Sequence, residues 1–278
     1  MNKIINWLNE SLYINKLSLA CKMCAKGSKM VVLVTGMCNS NCYYCPLSFK
    51  KGNKDLIFAD EWQLRDGNDI KKLFKEAELI DAEGAGITGG DPLVVWKRTK
   101  KYIEILKERF GRVFHIHLYT SSTTSINHIL ELIKCGLDEI RFHPSPYLWN
   151  KMEKSNLNKI IQRVTMSNAE VAIEIPSIPN MQNQILSMIS WADKKGIDYI
   201  NLNELEFSER NCKELINRNY QVKNEISAGV KGSQETAEEI LEKVKEDLKI
   251  GVHYCSVSFK DGIQLKNRIK RRAENIAK

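Results

Sequence analysis

Three cysteines within one short segment are the residues of this sequence best suited to do chemistry. Cys38, Cys42 and Cys45 have the spacing C-x3-C-x2-C and directly follow an apolar run at residues 31–34. Three thiolates on one loop can bind three irons of a [4Fe–4S] cluster, which leaves the fourth iron without a protein ligand. An open position on a metal centre usually marks chemistry, whereas closed sites are usually structural. The spacing therefore predicts a reactive cluster. The alternatives are a zinc site, which usually takes four ligands, or three unrelated thiols.

The length and composition of the chain limit the class of protein. Its 278 residues suit one large α/β domain or two small ones, and 43% hydrophobic residues suffice for a substantial core. The net charge of +8 admits an anionic partner without identifying one. Residues 1–20 lack the apolar core of a signal peptide, and no stretch approaches the length of a membrane span. We therefore expect a cytoplasmic protein with reduced thiols and no membrane contact.

Alternating strand-like and helix-like segments must position the cysteine loop. Short segments rich in β-branched or apolar residues predict strands at 30–35, 84–88, 112–120, 138–143, 169–176 and 199–203. Helical spacing of apolar residues predicts helices at 60–80, 97–110, 124–135 and 180–195. Six strands with intervening helices predict an α/β protein, a partial (β/α)6 barrel built of right-handed βαβ units. Active sites of parallel barrels lie at the carboxyl ends of the strands, which is where the cysteine loop falls.

The two ends of the chain differ from this core, which spans residues 30–205. Residues 1–29 are predicted to form an N-terminal extension that is helical and then carries the pair Cys21 and Cys24. Residues 206–278 are predicted to form a C-terminal extension. Its predicted elements are a solvated helix at 235–248, a late strand at 251–259 and a basic helix at 263–277. Both extensions are expected to pack on the barrel.

Over residues 30–205 the motifs and their order resemble those of the radical S-adenosylmethionine (SAM) enzymes. The resemblance implies that SAM chelates the open iron of a [4Fe–4S] cluster and is split by an electron from it, so the cluster and SAM carry the catalysis. Tyr44 matches an aromatic residue that lies near the adenine in the family. Gly89, Gly90 and Asp91 match a Gly-Gly-Glu-Pro motif that receives the SAM amine. Asp91 is one methylene shorter than the usual Glu, which weakens that contact or leaves it to backbone carbonyls.

Further residues at strand ends match family positions for SAM less specifically. Thr120 and Ser121, at the end of the third predicted strand, are candidates for the ribose and carboxylate of SAM. Ile175, near the end of the fifth, is a candidate for the adenine through its backbone. Arg141 could grip a carboxylate with two hydrogen bonds, or equally could be a structural ion-pair partner. The resemblance also implies a low-potential electron donor such as ferredoxin or flavodoxin.

Polar residues near the barrel mouth are candidates for the substrate. Asn201 and Asn203 share one face of the sixth predicted strand, and Glu204 follows them. His143 ends the fourth predicted strand on the same face as Arg141. Amide and acidic groups at a barrel mouth suit a polar substrate. A partial barrel is open at the side, so a small molecule, a peptide loop and a tRNA are all admissible.

A second metal site is predicted from the cysteines at the two ends of the chain. Cys21 and Cys24 form a C-x2-C pair, and Cys255 alternates with His253 on one face of the late strand. If the ends meet, three thiolates and an imidazole match a Cys3His zinc site or an auxiliary [4Fe–4S] cluster. The alternative is that the pair faces solvent and that Cys255 is a small buried residue.

The sequence resembles more narrowly an archaeal group related to pyruvate formate-lyase activating enzymes, which leaves the reaction open. One alternative is an activase that abstracts hydrogen from a glycine of a partner protein. A second is a tRNA-modifying enzyme, because basic residues recur from residue 260 to 278, although a solvated helix face explains them as well. A third is a non-catalytic metal-binding module. We expect a radical SAM enzyme that abstracts hydrogen from a substrate still to be identified.

Overall fold

Seven parallel strands form the central part of one sheet. The computed structural model describes residues 3–121, 126–244 and 248–278. The strands of these residues are β1 Ile5–Asn6, β2 Leu12–Ile14, β3 Lys29–Leu33, β4 Ile57–Ala59, β5 Trp62–Leu64, β6 Gly84–Thr88, β7 His115–Thr120, β8 Glu139–Phe142, β9 Glu170–Ser177, β10 Tyr199–Glu204 and β11 Gly251–Cys255. They pair in the order β1-β2-β11-β10-β9-β8-β7-β6-β3-β4-β5. Pairing is parallel from β11 to β3, and the short strands at the two edges are antiparallel.

Helices connect the parallel strands. The α-helices of the described residues are α1 Leu19–Lys26, α2 Ile70–Leu79, α3 Trp96–Phe110, α4 Ile126–Lys134, α5 Asn156–Val164, α6 Gln182–Lys194, α7 Cys212–Asn217, α8 Ser233–Val244, α9 Val257–Phe259 and α10 Lys266–Ile276. Short 3-10 turns cover Pro92–Val95, Pro146–Leu148 and Met152–Lys154, and a π-helical turn covers Lys260–Leu265. In the part of the chain that the structure describes, no helix has the length and apolarity needed to span a bilayer.

The six predicted barrel strands agree with β3 and with β6 to β10, to within three residues at each end. Strand β11 lies in the predicted C-terminal extension, yet it continues the parallel sheet. Its residues pair with β10 so that Tyr199 lies opposite Gly251 and Asn203 opposite Cys255. Because of this pairing, the last strand of the chain contributes side chains to the same inner surface as the predicted core.

The prediction of a helical N-terminal extension is wrong before residue 18. Strands β1 and β2 form a hairpin there, with Asn9 and Glu10 in the left-handed region at φ 43° and 62° between them. β2 pairs with β11, whose edge would otherwise present unpaired backbone groups. The predicted helix at 60–80 is also too long, because β5 and a turn rich in Asp, Gly and Asn precede α2.

Period-two alternation along the parallel strands separates an apolar outer face from a polar inner face. Fully buried apolar residues at alternate positions belong to the hydrophobic core: Ile116, Leu118, Ile140, Phe142, Ile173, Ile175, Ile200, Leu202 and Val252. Polar residues at the intervening positions line an internal cavity: Tyr119, Arg141, His143, Glu174, Asn201, Asn203, His253 and Cys255. A parallel sheet that turns polar side chains inward encloses a site rather than a second apolar core.

Candidate active site

A cavity of about 540 Å³ lies inside the sheet and opens at the carboxyl ends of the parallel strands. We call it the chamber. Two groups of cysteines line it. The loop cysteines are Cys38, Cys42 and Cys45, and the inner cysteines are Cys21, Cys24 and Cys255. The structure therefore brings the candidate cluster loop and the candidate second metal site to one cavity.

Gly89 and Gly90 allow the end of β6 to lie directly against the cysteine loop. The amide of Gly90 donates to the carbonyl of Thr35 at 2.8 Å, and the amide of Asp91 donates to the carbonyl of Met37 at 2.8 Å. A Cβ atom on Gly89 would overlap the Thr35 carbonyl oxygen, and one on Gly90 would overlap that of Met37. These glycines therefore fix the position of the loop that carries the thiols, in addition to the SAM contact that their motif predicts.

Asp91 is buried and organises the edge of the chamber beside the loop. Its carboxylate accepts hydrogen bonds from Thr120 Oγ1 at 2.9 Å and from the amide of Ser121 at 3.0 Å. Ser121 Oγ lies 2.9 Å from Ser40 Oγ, and the amide of Ser40 donates to Cys38 Sγ at 3.3 Å. A continuous set of hydrogen bonds thus runs from Asp91 to a loop cysteine. The structure brings Asp91, Thr120 and Ser121 together, and their contacts with SAM stay a prediction.

Tyr44 lies between the loop and the inner part of the chamber. Its hydroxyl donates to His143 Nε2 at 2.8 Å, while His143 Nδ1 donates to the backbone carbonyl of Glu174 at 2.7 Å. Burial lowers the pKa of His143, which favours the neutral imidazole that this pair of bonds requires. Burial also raises the pKa of Tyr44, so its hydroxyl keeps its proton. His143 therefore anchors Tyr44, and the aromatic ring next to Cys45 has a fixed orientation.

The loop cysteines fit a multi-iron cluster better than a single metal ion. Their side chains are half-buried and line the chamber. Among the described residues, only His115, Glu139 and Glu170 place three metal-ligating atoms within 4.8 Å of one another. At least one pair of the three loop sulfurs is thus farther apart than one zinc ion allows, since two thiolates on one zinc lie at most about 4.6 Å apart at a Zn–S distance of about 2.3 Å. A [4Fe–4S] cluster, whose ligands bind separate irons, suits this spread.

Arg141 is engaged by protein groups on every side. Nε donates to Glu139 at 2.6 Å, Nη1 donates to Glu174 at 2.7 Å, and Nη2 donates to Ser18 Oγ at 2.7 Å. The guanidinium is only 3% exposed. Of the two roles left open by the sequence, the geometry favours the structural ion pair over a contact with the SAM carboxylate. Burial acts to raise the pKa of Glu174, but hydrogen bonds and charge from Arg141, together with hydrogen bonds from two asparagines, hold that pKa at about 2.

The predicted substrate residues converge on Glu174. Asn203 Nδ2 donates to Glu174 Oε1 at 2.9 Å, and Asn201 Nδ2 donates to Glu174 Oε2 at 3.1 Å. Glu204 also lines the chamber, but its Oε2 accepts a bond from the amide of Val257 at 2.7 Å and so anchors the start of α9. Ile175 lies in the outer apolar layer and its side chain does not line the chamber. The inner wall thus presents an ionised carboxylate flanked by two amides.

Five charged residues of the chamber were not predicted as site residues from the sequence: Lys29, Glu174, Glu206, Arg210 and Lys260. Lys29 opens β3, and Lys260 follows α9 and lies 3.1 Å from Glu206. Alternation from the predicted site residue Arg141 could have assigned an inward face to β8. The register that places Arg141 opposite Ala172, and so brings Glu174 within 2.7 Å of the guanidinium, follows only from strand pairing. A single lysine at the start of an apolar strand gives no signal by itself.

The basic C-terminal helix is largely engaged in docking. Arg268 pairs with Asp60 and Glu61, Arg271 donates to the carbonyl of Ile80, and Arg272 pairs with Glu76. These contacts hold α10 against α2 and the β4–β5 turn. The explanation of the basic residues as a nucleic-acid-binding tail is therefore weaker than the sequence alone allowed.

Comparisons with known proteins agree with this geometry. The family model described as the radical SAM superfamily matches residues 32–145. A Methanocaldococcus jannaschii protein, provisionally named a glycyl-radical enzyme activating enzyme, is 41% identical over 283 residues, which cover 100% of this chain and 73% of that protein. Structures of Streptococcus suis SuiB bound to S-adenosylmethionine and to the precursor peptide SuiA have TM-scores of 0.54 and 0.51 at 12% identity.

The SuiB matches cover 82% and 85% of this chain and 50% and 51% of SuiB. The chain thus spans about half the length of SuiB, and at this identity the likeness concerns the fold alone. It confirms the predicted partial barrel.

Proposed function

Because the chain belongs to the radical SAM superfamily, and is therefore an enzyme that uses a [4Fe–4S] cluster and SAM, we propose that Cys38, Cys42 and Cys45 bind that cluster. The observation that carries the proposal is the placement of three half-buried thiols at the chamber mouth, too far apart for one metal ion and held against Gly89 and Gly90. When bound, the cluster and SAM supply hydrogen-atom abstraction through reductive cleavage of SAM.

The chain's own residues position the bound groups and exclude water. Asp91, Thr120, Ser121 and Ser40 form the hydrogen-bonded edge that fixes Cys38. Tyr44, anchored by His143, provides a rigid aromatic wall on the other side of the loop. Fixed walls on both sides of a reactive centre keep the reacting groups in one orientation and protect reactive species from solvent.

A polar substrate is proposed for the space between the loop and the inner wall. Glu174, Asn201 and Asn203 offer one carboxylate and two amides there, so they can bind a substrate through ammonium, hydroxyl or amide groups. We propose that Glu174 orients the substrate and does not exchange a proton with it, because its pKa of about 2 keeps it ionised near neutral pH.

Glycyl-radical activation is the second candidate, favoured by the name of the Methanocaldococcus jannaschii relative. In this version the substrate is a polypeptide loop of a partner protein, inserted at the open mouth of the chamber. The two versions share a low-potential electron donor, which we propose to be a ferredoxin or flavodoxin, and a location in the cytoplasm.

The deciding experiment is SAM cleavage by the anaerobically reconstituted protein in the presence of a strong reductant. We expect 5′-deoxyadenosine from the wild type and none from the triple variant Cys38→Ala/Cys42→Ala/Cys45→Ala. The double variant Cys135→Ala/Cys212→Ala, which changes two cysteines that do not line the chamber, is the matched control and should retain cleavage. Wild-type protein that carries iron and sulfide but forms no 5′-deoxyadenosine would overturn the proposal, as would full cleavage by the triple variant.

A further inference from the structure

The inner cysteines meet inside the chamber although they come from opposite ends of the chain. Cys21 and Cys24 lie one turn apart on α1, whose first turn is capped by Ser18 Oγ, the acceptor for the amide of Cys21 at 3.2 Å. Cys255 is the last residue of β11 and lies opposite Asn203 in the sheet. All three side chains line the same cavity as the loop cysteines. The fold, not a local motif, assembles this group.

Hydrogen-bond donors surround the sulfur of Cys21. Arg141 Nη2 and Asn201 Nδ2 each lie 3.6 Å from it, and His253 Nδ1 lies at the same distance. Trp7 packs edge-on against the His253 ring with centroids 5.5 Å apart, which restricts the movement of that ring. A sulfur that faces several donors and is buried is in the surroundings that a metal-bound thiolate requires.

Lys29 gives an independent reason to expect negative charge at this place. Its side chain is buried at 4% exposure, and no carboxylate of the described residues lies within 4.0 Å of its Nζ. The polar neighbours of Nζ are His117 Nε2 at 3.4 Å and Tyr119 OH at 3.5 Å, and the thiol of Cys24 is close enough to interact with it electrostatically. A buried ammonium group is costly unless an anion compensates it. A metal-bound thiolate at Cys24 supplies that anion.

The spacing of the inner sulfurs distinguishes between the two metals that the sequence left open. The described residues do not place Cys21, Cys24 and Cys255 with all three sulfurs within 4.8 Å of one another. At least one pair of these sulfurs is therefore farther apart than the separation of about 4.6 Å that one zinc ion permits between two thiolates. The loop cysteines show the same property. Wide spacing suits ligands that bind different irons of one cluster.

We propose that Cys21, Cys24 and Cys255 bind a second [4Fe–4S] cluster in the inner part of the chamber. Three cysteines leave one of its irons without a thiolate, and the continuous cavity exposes that iron to the substrate that the loop cluster would act upon. Arg141, Lys29 and Lys260 provide positive charge around the bound thiolates. The proposal stands on the inner residues and does not depend on the identity of the substrate.

Iron and acid-labile sulfide per chain test the proposal without reference to activity. After anaerobic reconstitution we expect about 8 irons in the wild type, about 4 in Cys38→Ala/Cys42→Ala/Cys45→Ala and about 4 in Cys21→Ala/Cys24→Ala/Cys255→Ala. Cys135→Ala/Cys212→Ala should match the wild type. We call the triple variant of Cys38, Cys42 and Cys45 the loop variant. Its Mössbauer spectra should show the remaining iron as a [4Fe–4S] cluster.

The loop variant is decisive because it leaves the inner residues untouched. A folded loop variant that holds no iron, or that holds zinc in place of iron, would overturn the proposal. Unchanged iron in the inner triple variant would also overturn it. A loop variant that no longer cleaves SAM but still holds iron would support both proposals separately. Lost cleavage would assign SAM chemistry to the loop cysteines, and retained iron would assign a second cluster to the inner cysteines.

A substitution of Lys29, made in the loop variant, tests whether this cation stabilises the inner cluster. Replacing Lys29 with Met removes the cation beside Cys24, and we expect iron to be lost to a chelator about tenfold more readily, as is typical when an outer-shell partner of a metal ligand is removed. Lys22→Met is the matched control, since Lys22 lies on the exposed side of α1. Equal iron release from both variants would show that Lys29 does not stabilise the bound thiolates and would count against the inner cluster.

Discussion

The loop cysteines and the inner cysteines reach the same chamber by different routes. The loop cysteines fall within one short segment, are half-buried and have hydroxyl and backbone groups as their neighbours. Of the inner cysteines, Cys21 and Cys24 are buried, and the group stands among the buried cations Lys29 and Arg141. The positions of the loop cysteines depend on the end of β6, whereas the inner group forms only when α1 and β11 meet.

The two groups of cysteines depend on different kinds of interaction. Close backbone approach at Gly89 and Gly90 positions the loop, so the loop should be sensitive to added volume. Buried ion pairs of Arg141 position the inner group, so it should be sensitive to the loss of a charge. Mutations of each kind should therefore affect one group of cysteines and leave the other intact.

The largest expected effect follows from Arg141→Met, which acts on the inner group. The variant leaves the buried carboxylates of Glu139 and Glu174 without their cation, and breaking a buried pair typically costs about 3–5 kcal/mol. We expect the free energy of unfolding, measured by anaerobic denaturant titration, to fall by an amount in that range. Iron of the inner group should be lost, because Arg141 also donates to Cys21, and iron of the loop group should remain.

Arg109→Met provides the control for this variant, because it breaks an exposed ion pair with Glu78 whose atoms lie 2.6 Å apart. Exposed pairs contribute about 0–1 kcal/mol, so its free energy of unfolding should change little. If Arg141→Met and Arg109→Met lower the free energy of unfolding equally, buried charge is not what sets the inner cysteines apart from the loop cysteines.

A pH-dependent effect is expected from Asp60→Asn, at the contact that fixes the C-terminal helix. Asp60 accepts a bond from the amide of Val31 at 2.8 Å and pairs with Arg268 at 3.2 Å. The neighbouring Asn267 binds the carbonyl of Ala25 in α1, so this contact also supports the helix of Cys21 and Cys24. Burial raises the pKa of Asp60 from 3.8 to about 7, although Arg268 opposes the shift.

The sign of the pH dependence follows from this raised pKa. The folded protein keeps the proton of Asp60 at pH values where the unfolded chain has lost it. The contribution of Asp60 to the free energy of unfolding is therefore complete below about pH 4 and is lost as the pH rises to about 7. Relative to Asp60→Asn, the wild type should lose on the order of 3 kcal/mol across this range. Denaturant titrations at several pH values measure the difference. If the free energy of unfolding depended on pH in the same way in the wild type and in Asp60→Asn, the prediction would be contradicted.

The loop should respond to Gly90→Ala, which adds one methyl group where the end of β6 contacts the cysteine loop. The new Cβ would overlap the carbonyl oxygen of Met37, and overpacking typically costs about 1–3 kcal/mol. We expect iron of the loop group and SAM cleavage to be lost while inner iron remains, as measured by iron content and 5′-deoxyadenosine. Gly67→Ala is the control, because its Cβ would meet only the flexible side chain of Arg98. Loss of inner iron in Gly90→Ala would show that the groups are not independent.

The same contrast explains what the sequence could predict. The loop cysteines and the motif of Gly89, Gly90 and Asp91 are local patterns, and short apolar segments predicted the parallel strands of the core. The α/β partial barrel, the cluster and SAM could therefore be predicted from the sequence alone.

The inner wall was only partly predictable, because it depends on which strands are neighbours and in which register. Cys21, Cys24 and Cys255 could be proposed as a group only on the condition that the chain ends meet, which the pairing of β11 with β10 now supplies. Glu174 and Lys29 carry no local signal, since their importance arises from Arg141 and Cys24 across the chamber. The N-terminal hairpin was missed for the same reason: β2 is stabilised by the edge of β11, and three residues of its own sequence do not specify a strand.

The smallest effect is expected from Tyr44→Phe, which tests whether the two regions are energetically separate. The variant removes the hydroxyl that donates to His143 at 2.8 Å and leaves a buried nitrogen unpartnered, at a cost of about 1–2 kcal/mol. His143 in turn donates to the carbonyl of Glu174, whose side chain pairs with Arg141, so Tyr44 and Arg141 share a partner residue.

A double-mutant cycle of Tyr44→Phe with Arg141→Met measures this connection. Because residues that share a partner usually couple, we expect the two losses in the free energy of unfolding to depart from additivity by at least about 0.5 kcal/mol. The cycle with Arg109→Met should be additive, since Arg109 lies on the exposed surface of α3. Additivity in both cycles would mean that Glu174 transmits nothing between the loop and the inner wall. In that case the chamber would hold two independent sites whose common cavity is their only connection.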